Sequence, residues 1–267
     1  MTAEFRYDEN EMKEVASKAL NDYYAALLEK IDNLDLRDVL KKKNPYLYRA
    51  KGMEKAADIV AALVDAYISS SEETIFGNSF FEPIAIAASG GRKSKAEGLD
   101  LEIDLEGNLS YAIAVKSGTA AYNDSSKKKQ KADFESAISR GMQGNVLVKP
   151  IIGYGYGRKT PKKAKIYQEV AGQAFWELIT GDPDFYKKLI DYMGDAPEEN
   201  RKKFKRSINK TKNRFTAEFV RDFCDSGGAI DWDRLVQFNS GKDGLKLSRR
   251  SKKTTTTNKR SAIKKTK

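Results

Sequence analysis

Histidine is absent from the 267 residues, and cysteine occurs once, at Cys224. Without an imidazole, Ser-His-Asp and Cys-His hydrolases, phospholipase-D-like enzymes and nucleases with a ββα-metal site lack their base, nucleophile or ligand. A lone cysteine forms no internal disulfide, and with no histidine beside it no zinc site of the usual composition assembles. Long apolar runs are missing too. No stretch approaches the roughly 18 residues needed to span a bilayer, and the first ten residues are acidic and polar rather than a charged-then-apolar signal. No membrane partner is therefore expected, and the expected location is cytoplasmic. For cleaving a charged ester, these absences leave carboxylates, lysine and a hard cation such as Mg²⁺.

The chain carries 49 Lys and Arg against 38 Asp and Glu, a net charge of +11, which suggests a polyanionic partner. Ten of the basic residues fall in 244–267, where there is no acid, so the remainder is close to neutral. Within that remainder the basic residues cluster at 41–43, 127–131, 158–165 and 201–214, the last with eight basic residues in fourteen and none acidic. Solvated helix faces account for any one such run as well as phosphate binding does. A hydrophobic content of 40% is enough for a real core.

Apolar residues at three- and four-residue steps predict a helix over 8–33, with Tyr23, Leu27 and Ile31 in its stripe, then shorter helices over 36–43 and 53–69. Ser70 with Glu73 three residues on predicts a capping box opening a further helix, 71–88, kinked at Pro83. The period then drops to two: Leu99, Leu101, Ile103 and Leu105 alternate with Asp100, Glu102 and Asp104, and a second strand covers 109–117. Between them Glu106-Gly107-Asn108 is a suitable hairpin loop, because glycine and asparagine tolerate left-handed backbone. A helix over 125–140 and a strand over 145–152 follow. Further helices are predicted over 166–180, 184–193, 197–208 and 216–225, and the region beyond 241 has no apolar periodicity. The resulting division is an N-terminal helical region, 1–70, with its stripe a candidate dimer contact or part of its own core; a main body, 71–241; and a basic, disordered tail, 242–267.

If Leu105 pairs with Leu109, residue numbers across the hairpin sum to 214 and Asp100 lies opposite Ala114, with Lys116 on the same face. Opposed residues have Cβ atoms about 5 Å apart, close enough for two side chains to share one Mg²⁺, and the lysine ammonium is placed to orient a water or offset developing phosphorane charge. Asp100, thirteen residues, then Ala114-Val115-Lys116 follows the PD-(D/E)XK nuclease pattern, although polar-faced hairpins carrying Asp and Lys are commonplace. Residues 43–52 (KNPYLYRAKG), 69–81 (SSSEETIFGNSFF), 97–101 (EGLDL), 115–118 (VKSG), 155–159 (GYGRK) and 172–182 (GQAFWELITGD) resemble the EcoO-type type II restriction endonucleases.

That resemblance implies an α/β fold with a restriction-endonuclease-like core, a mixed sheet flanked by helices, and additional N- and C-terminal helices. It implies a homodimer that hydrolyses phosphodiester bonds of double-stranded DNA at RGGNCCY-like palindromic sites, with Mg²⁺ as cofactor. Asp100 matches the metal-binding aspartate, Lys116 the catalytic lysine, and the carbonyl of Val115 is a further metal donor. Ala114 departs from the family, which has glutamate there, so cleavage is expected to fail. Either the alanine was introduced, or the carboxylate has moved to Glu102 or Asp104.

Among other features, Glu72 and Glu73 precede the hairpin; related nucleases bring a glutamate of the corresponding helix toward the metal, whereas capping is the simpler account of Glu73. The glycine run 153–160 lacks a P-loop ending and is expected to bring the backbone near DNA, with Arg158 and Lys159 as contacts. Lys127, Lys128 and Lys129, at a helix start, are further candidates for phosphate. Trp176 and Phe175 fit core packing. Two other classes remain: a non-catalytic sequence-specific DNA-binding protein, for which the alanine is native, and a helical RNA-binding protein that uses its basic tail.

Overall fold

A computed structural model describes residues 6–122, 124–160, 166–194 and 198–242. The basic tail and part of the 158–165 cluster lie outside the described residues. The N-terminal helix α1 (Glu9–Asp32) starts where the Asp8 carboxylate accepts the N–H groups of Asn10 and Glu11, both at 2.9 Å. Two short helices, α2 (Leu36–Leu40) and α3 (Pro45–Ala50), are capped in the same way by Asp35 and Asn44.

The capping box at Ser70 does not form. Helix α4 (Ala56–Phe76) runs straight through it, because the hydroxyls of Ser70 and Ser71 turn back to the Tyr67 carbonyl at 2.9 and 3.0 Å instead of reaching forward to an N-terminal N–H. The boundary drawn at residue 70 thus falls inside a helix. The chain continues as a π-helical turn, Gly77–Phe81, into α5 (Glu82–Ser89). Pro83 lacks an N–H and clashes with the carbonyl four residues back. The wider turn just before it, in which Glu82 N–H reaches Gly77 O, absorbs that mismatch where a kink was expected.

A short strand β1 (Arg92–Lys93), then β2 (Leu101–Leu105) and β3 (Leu109–Lys116), form an antiparallel meander. Gly107 and Asn108 both adopt positive φ in the connecting loop, and Leu105↔Leu109 through Leu101↔Ile113 pair in the register expected from the sequence. Helix α6 (Asp124–Gln143) then crosses to β4 (Leu147–Tyr154), which pairs in parallel with β3, and β5 (Gln168–Ala171) pairs in parallel with β4. The five strands lie in the order β1-β2-β3-β4-β5.

The helix expected over 166–180 divides into β5 and α7 (Gln173–Thr180), separated by Gly172 at φ 55. Gly172 N–H bonds the Tyr154 carbonyl, holding β5 against β4. Helix α8 (Phe185–Met193) follows. The two helices expected between 197 and 225 are one, α9 (Glu198–Phe223), and an unexpected α10 (Trp232–Ser240) is capped by Asp231.

Alternation along β2 and β3 sorts the core. Leu101, Ile103, Ile113 and Val115 face α1, the π-turn, α5, α7 and α8, whereas Ala112, Ala114, Ile152 and Tyr154 face α6 through Phe134 and Ala137. A third cluster joins the C-terminal half of α1 to α2, α3, α4, α9 and α10, and there Leu27 and Ile31 are fully buried. The chain's own core therefore accounts for the α1 stripe. The whole is an α/β fold, a mixed sheet flanked by helices with additional helices at both ends. Among the described residues no helix is long and apolar enough to cross a membrane.

Candidate active site

Residues 96–100 turn into β2 through Gly98, whose φ of 73 favours glycine. A Cβ there would meet the Asp133 carboxylate of α6 at 2.1 Å. Glycine thus lets this turn press against α6 and deliver Asp100 to the end of the hairpin. Asp100 N–H bonds Ile113 O at 2.9 Å, and its Oδ2 accepts the Val115 N–H at 2.7 Å and the Lys116 ammonium at 3.3 Å. Both side chains remain partly accessible, at 22% and 31%. The sequence expectation that Asp100 and Lys116 come together is met by this contact.

Ala114 does not share that accessibility. Its methyl is fully buried among Leu99, Phe134, Ile152 and Tyr154. Neither alternative carboxylate stands free to replace a missing one. Glu102 accepts from Arg92 at 2.7 Å and from Ser94 Oγ at 2.8 Å, and Asp104 is paired with the same guanidinium. The Arg92 contact holds the Asp104 carboxyl below the usual range.

Glu73 is not a cap but lies in the last turn of α4, where its Oε1 accepts the Ser117 hydroxyl at 2.6 Å. It therefore braces the residue after Lys116. Gly77 lies against the same serine, and a Cβ there would come 3.2 Å from the Ser117 Cβ.

Three residues that sequence reasoning passed over, Tyr122, Gln130 and Glu169, frame the site. Tyr122 donates to Gln130 Oε1 at 2.7 Å, and buried Gln130 donates to the Gly98 carbonyl at 2.8 Å, so α6 is tied to the Asp100 turn. Burial, reinforced by the negative charge of Asp100, pushes the Tyr122 hydroxyl well above its ordinary range and keeps it a donor. Glu169 of β5 accepts Tyr154 OH at 3.0 Å and the Lys159 ammonium at 2.6 Å. Tyr154, in register with Lys116 on β3, belongs to the glycine run 153–160 that the sequence did single out.

Burial acts to raise the Glu169 pKa, but the bonds from Lys159 and Tyr154 and the charges of Lys159 and Lys127 outweigh it, and the net shift is downward. A depressed carboxylate contributes stability above its unfolded pKa of about 4.3 and loses it as pH falls through the lower folded value. Glu169→Gln is expected to cost about 1 kcal/mol at neutral pH, a modest figure because Lys159 is partly solvated, and to flatten the fall of stability below about pH 4.3. Urea denaturation midpoints measured from pH 3 to 7 check both effects.

The phosphate candidates separate. Lys127 and Lys128 are exposed near the start of α6, Lys129 pairs with Glu97 at 2.9 Å, and Arg158 is exposed. Lys159 is engaged by Glu169 and lies 5.1 Å from the Tyr154 ring centroid. The glycines of the 153–160 run serve packing first: a Cβ at Gly153 would strike the Phe175 ring at 2.1 Å, and one at Gly155 the Phe81 ring at 2.7 Å.

The donors at the hairpin do not make a resident Mg²⁺ site. They comprise one carboxylate, with an oxygen already shared between an amide and an ammonium, and at most the Val115 carbonyl that the resemblance implies. Mg²⁺ demands near-octahedral oxygen coordination. Among the described residues no three Asp, Glu, Cys or His side chains converge to hold a metal.

The family model described as Type II restriction endonuclease EcoO109I matches residues 10–201, which hold all five strands, the π-turn, the Asp100–Lys116 pair and Glu169. No curated protein matches the chain. With most of its length matched and a mixed sheet that presents an aspartate and a lysine at one hairpin, the chain belongs to the type II restriction endonuclease EcoO109I family of site-specific DNA nucleases.

Proposed function

We propose that the chain is a type II restriction endonuclease of the PD-(D/E)XK kind in a cleavage-deficient form, a homodimer that binds double-stranded DNA at a palindromic RGGNCCY-like site. The observation that carries the reading is the Asp100–Lys116 contact, 3.3 Å, beside a buried Ala114 in a chain of this family. A palindrome calls for a two-fold symmetric reader. Lys116 is placed to orient a water or offset charge on a phosphoryl oxygen, and Asp100 to hold Lys116 and the Val115 amide in line. Lys127, Lys128 and Arg158, exposed on the segments that follow β3 and β4, serve as phosphate contacts. Hydrolysis in this family is assigned to Mg²⁺, and with no oxygen at position 114 the step fails here.

A non-catalytic, sequence-specific DNA-binding protein is the second reading. The tight apolar packing of Ala114 favours it, since an alanine native to that position would be enclosed in the same way.

The purified chain is expected to retard a duplex selected for binding about 10³-fold more tightly than a random one, and to leave plasmid intact in Mg²⁺. Discrete fragments from the unaltered chain would refute the deficiency. Absence of duplex binding would refute both readings.

A further inference from the structure

Helix α9 begins at the end of the family-matched region and carries the longest basic run of the described residues. Its inward face is fully committed. Thr211, Phe215 and Phe219 are buried in the helical cluster with α1 and α4, while Asn200 bonds Asn21 and Ser207 bonds Asp32. The helix therefore has no apolar face left for a lipid surface, and its rotation is fixed.

The opposite face holds Lys202, Lys203, Arg206 and Lys210, with Asn209 and Asn213 alongside, all exposed. Lys202 and Lys203 pair with Glu198 and Glu199 in the first turn, at 2.6 and 2.7 Å. Beyond those two acids the helix itself supplies no counter-charge, since residues 200–217 contain no Asp or Glu, and Lys212 draws instead on Asp65 of α4, at 2.7 Å. Among the described residues Arg206 and Lys210 form no ion pair.

Lys202, Arg206 and Lys210 stand four residues apart, so like charges repeat at about 6 Å on one stripe. Each such i,i+4 repulsion disfavours the helix. An ordinary solvated face relieves that cost by interleaving acids, as the first turn of α9 does and the next four turns do not.

We infer that the outward face of α9 is a second, sequence-independent contact for duplex DNA that grips phosphates beyond the recognised site. The stripe is about 12 Å long, and a duplex presents one charge per about 1.7 Å of axis, so several phosphates face it at once. Neutralising them relieves the helix's own repulsion. The inference rests on the DNA-binding reading above but not on cleavage or on Ala114.

The test is the salt dependence of binding to a labelled 40-base-pair duplex of random sequence. It compares the full-length chain with K202Q/R206Q/K210Q, with the charge-preserving K202R/R206K/K210R, and with K13Q/K18Q/K51Q. The last removes the same charge from exposed positions elsewhere. The expected result is that the slope of log K against log salt becomes shallower by about 2 to 3 in the first variant alone.

An unchanged slope in the first variant, or an equal change in the third, overturns the inference while leaving the DNA-binding reading standing. With an RNA hairpin titrated alongside, a change of slope confined to that RNA also overturns it. Failure of the unaltered chain to bind any duplex removes the reading on which it rests. Coincident thermal unfolding of the four proteins excludes misfolding as the cause of a change.

Discussion

Ala114→Glu is expected to turn a duplex-binding chain into one that cuts. The two residues that would flank the new carboxylate are already in place: Asp100 follows on from the Leu101↔Ile113 pair of the hairpin, and Lys116 lies on the same face, 3.3 Å from the aspartate. A hard cation at a phosphoryl centre is worth several kcal/mol of charge stabilisation, so the gain in rate over the unaltered chain should be about three orders of magnitude or more. The same substitution has a cost. The methyl of Ala114 is enclosed by Leu99, Phe134, Ile152 and Tyr154, and a glutamate must push into them or run along the sheet toward Asp100. Without metal, overpacking and an incompletely paired buried carboxylate should lower stability by about 1–3 kcal/mol or more. Binding of Mg²⁺ to the folded form alone should restore part of that loss. A melting temperature that rises with Mg²⁺ in Ala114→Glu, and much less in the unaltered chain, would register the completed donor set independently of cutting.

Trp176→Ala is expected to give the largest loss of stability, about 3–5 kcal/mol, which is a substantial part of the 5–15 kcal/mol that holds a typical domain together. The indole is fully buried between Phe81, Phe175 and Phe185, and its N–H donates to the Gly155 carbonyl at 2.8 Å. Gly155 leads into the loop that carries Arg158 and Lys159, so removal of the ring both opens a cavity and releases the anchor of a proposed DNA-contacting segment. Trp176→Phe keeps most of the packing and loses the bond. It should cost less, about 1–3 kcal/mol, and the difference in urea midpoints separates the packing contribution from the hydrogen bond.

The hairpin was readable from sequence because two independent signals agree there. Alternation fixes which residues face the core, and Gly107-Asn108 supplies the left-handed positions that the loop needs, so the register follows from local chemistry. Strand β5 was not readable: three of the four residues of Gln168-Glu169-Val170-Ala171 are good helix formers, and its pairing with β4 makes it a strand. For the same reason Glu169 went unnoticed, since its partners Tyr154 and Lys159 reach it through the sheet.

At Ser70 a local rule misled, because a serine hydroxyl satisfies an internal carbonyl as readily as it caps a helix. The Asn-rich middle of α9 reads as a break, yet Thr211 and Phe215 seat it against neighbouring helices and carry the helix through. The glycine run reads as a loop made for a ligand, whereas Gly153 and Gly155 leave room for aromatic rings of the same chain, a tertiary fact with no trace in the local pattern.

The central claim is that one carboxylate at position 114 separates this chain from a working nuclease, and plasmid digestion tests it most directly. Supercoiled plasmid is incubated with Mg²⁺ and the unaltered chain, Ala114→Glu, or Ala114→Glu combined with Lys116→Ala. The predicted result is discrete, reproducible fragments from Ala114→Glu alone, abolished by EDTA. No fragments from a folded, duplex-binding Ala114→Glu protein, or equal cutting by the unaltered chain, would contradict the claim.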